Sequence, residues 1–179
     1  MLKSFIQAVD WLNEHVGRAI SWLTLAMVLI TFLVVVLRYV FSVGWVWMQE
    51  SYVWLHGIVF MVGAGYTLLH NGHVRVDIFY RDADPRWKAK VDLFGALLLL
   101  LPVVIMVFLG STDYVIDSWR RLEESREAGG LPGLFLLKTM ILAFCVLVGL
   151  QGLSMAARSL LMLRGDTSFL PDDEEPEVR

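Results

Sequence analysis

The sequence predicts an all-α integral membrane protein with four transmembrane helices and an N-terminal amphipathic interfacial helix. Three observations carry that reading. Of 179 residues, 57% are hydrophobic and 18% charged, whereas about a quarter of an ordinary globular domain is charged. Four apolar stretches, at residues 19–37, 51–69, 92–110 and 138–157, approach the roughly 20 helical residues needed to cross a hydrocarbon core about 30 Å thick. None of them alternates as a barrel strand does, and backbone groups in lipid must be satisfied within a helix or a closed barrel.

Residues 1–18 come first. Leu2, Phe5, Ile6, Val9, Leu12 and Val16 recur at helical spacing, opposite Lys3, Gln7, Asp10 and Asn13. That pattern is an amphipathic helix with Trp11 beside its apolar stripe, suited to the membrane surface or to a partner protein. The first span follows, with only Ser21, Thr24 and Thr31 as polar interruptions between Ile20 and Val36; each hydroxyl can donate to a carbonyl of its own helix. A cleaved signal peptide is not expected: the apolar run is too long, no A-x-A-like site follows it, and Arg38, Tyr39 and Phe41 form an interfacial stop.

The second span carries His56, Tyr66 and Thr67. The third holds Pro102, which deprives the Leu98 carbonyl of its usual donor and predicts a kink. Tyr114, Val115, Trp119 and Leu122 keep helical spacing past that span, so the helix should continue until Gly129, Gly130, Pro132 and Gly133 break it. Residues 1–165 then form one membrane domain, and residues 166–179, with Asp172, Asp173, Glu174, Glu175 and Glu177 around two prolines, an acidic disordered tail.

Orientation follows from the basic residues. Ten lie in the N-terminal segment, the connection between spans two and three, and the tail; the other five are Arg38, Arg120, Arg121, Arg126 and Lys138. The excess marks the cytoplasmic side, which places both termini there. Formal charge is −3 with no concentrated basic face, so nucleic acid is not a partner.

The chemistry-bearing residues are few, and nothing among them predicts an enzyme. The lone Cys145 lies in an apolar run and reads as a small buried hydrophobe. His70, His73 and Asp77 have a spacing that could gather metal ligands, but a helix end is polar in any case, and no metal is assigned. A haem would need facing histidines from two helices; only His56 lies well inside a span, where a hydrogen bond between helices is the better role, and no cofactor is assigned. Glu50 opens the second span behind Trp45 and Trp47, where pairing with Arg38 or with a partner subunit would offset its cost near lipid. Gln151 and Ser154, with Gly152 and Ala156, make a small and polar stripe suited to close helix packing. Arg38, Trp45, Trp47, Glu50, His56 and Gln151 are the candidate contacts with a partner subunit.

Four segments carry a resemblance: RYVF (Arg38 to Phe41), WMQE (Trp47 to Glu50), GAGYTLLHNGHVRVD (Gly63 to Asp77) and GLPGLFLLKT (Gly130 to Thr139). In their order and four-span layout, over roughly residues 10–165, the sequence resembles the small membrane subunit of tripartite ATP-independent periplasmic (TRAP) transporters. The resemblance implies a bacterial inner-membrane system. There a periplasmic substrate-binding protein captures an organic acid or similar solute, and a large membrane subunit moves it inward with sodium. The small subunit would be a scaffold in the membrane lipid without an ion or substrate site, and the acidic tail leads us to expect the large subunit as a separate polypeptide. Two alternatives stay open: a self-contained homodimeric small carrier, and the membrane anchor of a redox complex.

Overall fold

The computed structural model describes residues 1–74, 80 and 83–166. Every described element is helical: α1 (Leu2–Val40), α2 (Val46–Leu69), α3 (Pro85–Phe94), a π-helical segment (Gly95–Leu100), α4 (Leu101–Arg120) and α5 (Leu134–Leu163). No break separates α3, the π segment and α4. The chain therefore forms four long helical runs, each long and apolar enough to cross a membrane. The acidic tail from residue 167 lies outside the described residues, as do Arg75, Asp77 and Arg81.

Local chemistry sets the boundaries. Asp84 caps α3 by accepting from the Arg86 amide at 3.1 Å, and Pro85 fills the first helical position, where a missing N–H costs nothing. Three helices close with paired reverse bonds over a left-handed residue, the Schellman arrangement. After α2, Asn71 takes that conformation while Gly72 donates to the Thr67 carbonyl at 2.8 Å. After α5, Gly165 takes it and Asp166 donates to Leu161 at 3.0 Å. After α4 the residue is Leu122 (φ 46°), which has a Cβ and pays about 1–2 kcal/mol for the conformation; Glu123 then donates to Ser118 at 3.0 Å.

Two expectations are corrected. The amphipathic segment is not a separate helix lying ahead of the first span: it runs into that span without interruption. The face it buries is rotated from the predicted stripe: Ile6 and Val9 are buried together with Asn13, which the sequence set on the opposite side, and Gly17, while Phe5 is exposed. A side chain added at Gly17 would overlap the Tyr66 ring, so α1 and α2 approach closely there. The irregularity expected at Pro102 occurs one turn earlier, as the π segment. The Leu101 amide donates to the carbonyl of Ala96, five residues back, and the widened turn absorbs the mismatch that the proline creates.

α5 is the central helix. It contacts α1, α2, α3, the π segment and α4, and it buries Cys145, Leu147, Val148, Gln151, Gly152, Ser154, Ala156, Ala157 and Ser159. The apolar core joins Val104, Cys145 and Val148, with Ala64, Leu68, Leu100 and Phe144 packed around them. Cys145 is thus buried, as its apolar surroundings in the sequence imply.

Candidate functional site

The polar side chains collect at the two ends of the bundle. At the end where α1 begins and α5 finishes, Asp10 is the hub. Its carboxylate accepts from Gln151 at 3.2 Å, from the Ser154 hydroxyl at 3.1 Å and from the Arg158 guanidinium. Asn13, only 1% exposed, donates to the Gln151 side-chain oxygen at 2.9 Å. The spacing of 10 and 13 on α1, and of 151, 154 and 158 on α5, places each set on one face of its helix. Two atoms in this network are buried without a hydrogen-bond partner, Asn13 Oδ1 and Arg158 Nε. Asn13 Oδ1 occupies the space where a Cβ at position 65 would lie, which is why only glycine fits there.

One turn further along α1, Glu14 joins α1 to the end of α2. It accepts from Arg18 at 2.6 Å and pairs with the His70 ring at 2.7 Å, and that ring lies 4.3 Å from the ring of Tyr66. His70 is therefore occupied by a carboxylate from another helix. Asp77, the third residue of the metal reading, lies outside the described residues. Among the described residues no three His, Cys, Asp or Glu side chains converge as a metal site would require.

The opposite end is built on Glu50 and Glu123. Glu50 does not pair with Arg38. Its carboxylate accepts from the Ser125 hydroxyl and from the Leu131 amide, the latter at 2.6 Å, so it ties the start of α2 to the α4–α5 connection. Glu123 accepts from the Ser118 hydroxyl at 2.7 Å and from the Lys138 ammonium, which also stands 3.9 Å from the centre of the Tyr114 ring. The hydrogen bond from Lys138, then that from Ser118, hold the Glu123 carboxyl below its usual range. The left-handed turn at Leu122 brings this carboxylate back over its own helix. Trp119 adds a further link, donating to the Thr139 hydroxyl at 2.9 Å and meeting Phe135 edge to face at 4.6 Å.

The six candidate partner contacts therefore divide. Gln151 is buried inside the chain and bonded there, so it is an internal tie and not an outward contact; Glu50 is likewise used internally. Arg38, Trp45, Trp47 and His56 are exposed on the outer surface. The sequence marked Gln151 and Ser154 as a packing stripe, and they are one. It did not identify Asp10 and Arg158 as their partners, because 148 residues separate that pair.

Four apolar helical runs, a central helix of small residues and polar ties confined to the two ends define a multi-pass helical membrane protein. A family profile described as "Tripartite ATP-independent periplasmic transporters, DctQ component" matches residues 27–163, and the chain belongs to that family. Among curated proteins it is similar to the C4-dicarboxylate TRAP transporter small permease protein DctQ of Vibrio cholerae serotype O1, at 30% identity over 89 residues. The match takes in 50% of this chain and 38% of that protein. No solved structure gives a significant match.

Proposed function

We propose that this chain is the small permease subunit of a TRAP importer and acts as a scaffold. It would hold a separate large membrane subunit in the bacterial inner membrane, with both of its own termini in the cytoplasm. The large subunit would take a solute from a periplasmic binding protein and move it inward, coupled to sodium. The solute class, an organic acid or similar solute, follows from the family resemblance.

The observation that carries the reading is where the polar groups are used. The networks described above bond helix to helix toward the two ends of the bundle, and the core between them is apolar around Val104, Cys145 and Val148, while His56 lies on the exposed face of α2 outside that core. A translocation path needs polar groups at intermediate depth that can receive a solute, because charged and polar groups in the membrane are costly unless they serve such a use. Here the chemistry secures the helices to one another. The basic-residue count supports the orientation.

Reconstitution tests this directly. In proteoliposomes the chain alone should pass no solute. Uptake should appear only with the large subunit, a loaded binding protein and an inward sodium gradient together. Solute flux through this chain alone would establish the self-contained carrier instead.

A further inference from the structure

Arg86, Lys90, Phe94, Trp87 and Val91 follow one another around α3 within about 140° of arc, at about 100° per residue, and all five are exposed. The other side of the helix carries the buried Ala89 and contacts α5. The exposed arc is graded along its length. Arg86 and Lys90 lie within about 8 Å of the start of the helix and Phe94 about 14 Å along it, where the apolar face continues through Leu98 into the membrane-crossing run. Basic residues gather at cytoplasmic helix ends in membrane proteins generally; these two differ from their neighbours in having nothing to pair with. At the same end of the bundle Lys3 pairs with Asp166, Arg18 with Glu14 and Arg158 with Asp10, and Lys88 stands over the Tyr80 ring at 5.6 Å. Arg86 and Lys90 have no carboxylate or ring partner among the described residues. The nearest described acids are engaged elsewhere: Asp84 caps the helix, and Asp92 accepts from the Tyr80 hydroxyl at 2.6 Å.

We propose that this face of α3 binds an anionic phospholipid. Arg86 and Lys90 hold the phosphodiester oxygens of its headgroup, Trp87 lies at the interface, and an acyl chain runs along Val91, Phe94 and Leu98. A guanidinium and an ammonium on one turn offer several donors to phosphate oxygens, which accept without bringing a proton of their own. The passage from cation to indole to hydrocarbon along α3 matches the passage from headgroup to acyl chain in a phospholipid, with the long basic side chains reaching outward to the polar layer. A zwitterionic headgroup carries its own amine and leaves less net charge for the two cations. A second copy of this chain, docked by the same face across a twofold axis, would set cation against cation. The inference needs only that this run crosses a bilayer, so it stands or falls separately from the scaffold reading.

The test titrates the full chain in detergent with phosphatidylglycerol or phosphatidylcholine and counts bound lipids by native mass spectrometry. The tightest site of the unaltered chain should prefer phosphatidylglycerol. Arg86→Gln with Lys90→Gln should weaken that site about ten- to thirtyfold, at roughly 1 kcal/mol for each basic residue, and leave phosphatidylcholine binding unchanged. Arg120→Gln with Arg121→Gln removes the same charge from the opposite end and should alter the affinity less than about twofold. Neither double variant should lower the unfolding temperature in detergent alone, which separates lost binding from lost folding. In the membranes of the expressing cell, a benzophenone amino acid at Val91 should crosslink to lipid. Equal affinity for the two lipids, an unchanged site in the α3 double variant, or an equal loss in the Arg120 and Arg121 control would each overturn the proposal. A protein adduct at Val91 would overturn it as well, by showing that another chain covers this face.

Discussion

The second half of α1 and the second half of α5 are both apolar enough to cross a membrane, yet they stand in opposite positions. Beyond Gly17 no residue of α1 is fully buried, and Leu25, Val28, Leu29, Phe32 and Val35 are exposed. α5 buries Gln151, Gly152, Ser154, Ala156, Ala157 and Ser159, residues chosen for small size or hydrogen bonding. The comparison shows how packing in lipid differs from packing in water. Hydrocarbon side chains gain nothing by leaving hydrocarbon, so close approach and polar ties decide which helix sits at the centre.

The largest effect that would sharpen this contrast is expected at Gly152, where an added Cβ would overlap the Leu100 side chain. Gly152→Leu should destabilise the chain by about 3 kcal/mol, the upper part of the overpacking range. Gly110→Leu, at a position with open space beside it, should be tolerated. Thermal unfolding in detergent measures both, and equal losses would remove the distinction between crowded and open helix faces. Asp10→Ala comes next. It leaves Arg158 without its carboxylate and should cost about 2 kcal/mol, less than a fully buried pair would lose, because 23% and 31% of the two side chains are exposed. The smallest effect belongs to α1: Phe32→Ala should shift the stability of the isolated chain by less than about 0.5 kcal/mol. A loss there as large as at Asp10 would mean that this face packs against protein even in the isolated chain.

Much of this architecture can be read from residue order. Four apolar runs announce four spans, but the third helix does not continue to the Gly129 to Gly133 cluster as its spacing suggested: α4 ends at Arg120, closed by the turn at Leu122, and the glycines only precede α5. The Gln151–Ser154 stripe is legible because small and polar residues at helical spacing have few other uses in a membrane. Pairings are another matter. Glu50 suggested Arg38 by proximity, but its partners come from Ser125 and Leu131, 75 and 81 residues away. Periodicity tells which face of a helix is special and says nothing about which face of another helix meets it. The continuity of α1 was hidden for a related reason: a stripe that covers a neighbouring helix has the same spacing as one that lies on lipid.

The π segment has a consequence for how the third helical run meets α5. Ala96 and Val104 are both buried, and eight residues separate them. A regular α-helix advances about 100° per residue, so an eight-residue step would leave the two side chains about 80° apart around the axis. Seven steps would leave them only about 20° out of line. The wide turns between them take up one residue without advancing the face, which returns Val104 to the azimuth of Ala96. The segment therefore works as a phase correction along the run. Removing a single leucine from it would leave seven steps between the two, so the run would close as a regular α-helix with its faces still in register and α3, with its buried Ala89, still against α5; adding a further residue would instead rotate α3 by about 100°.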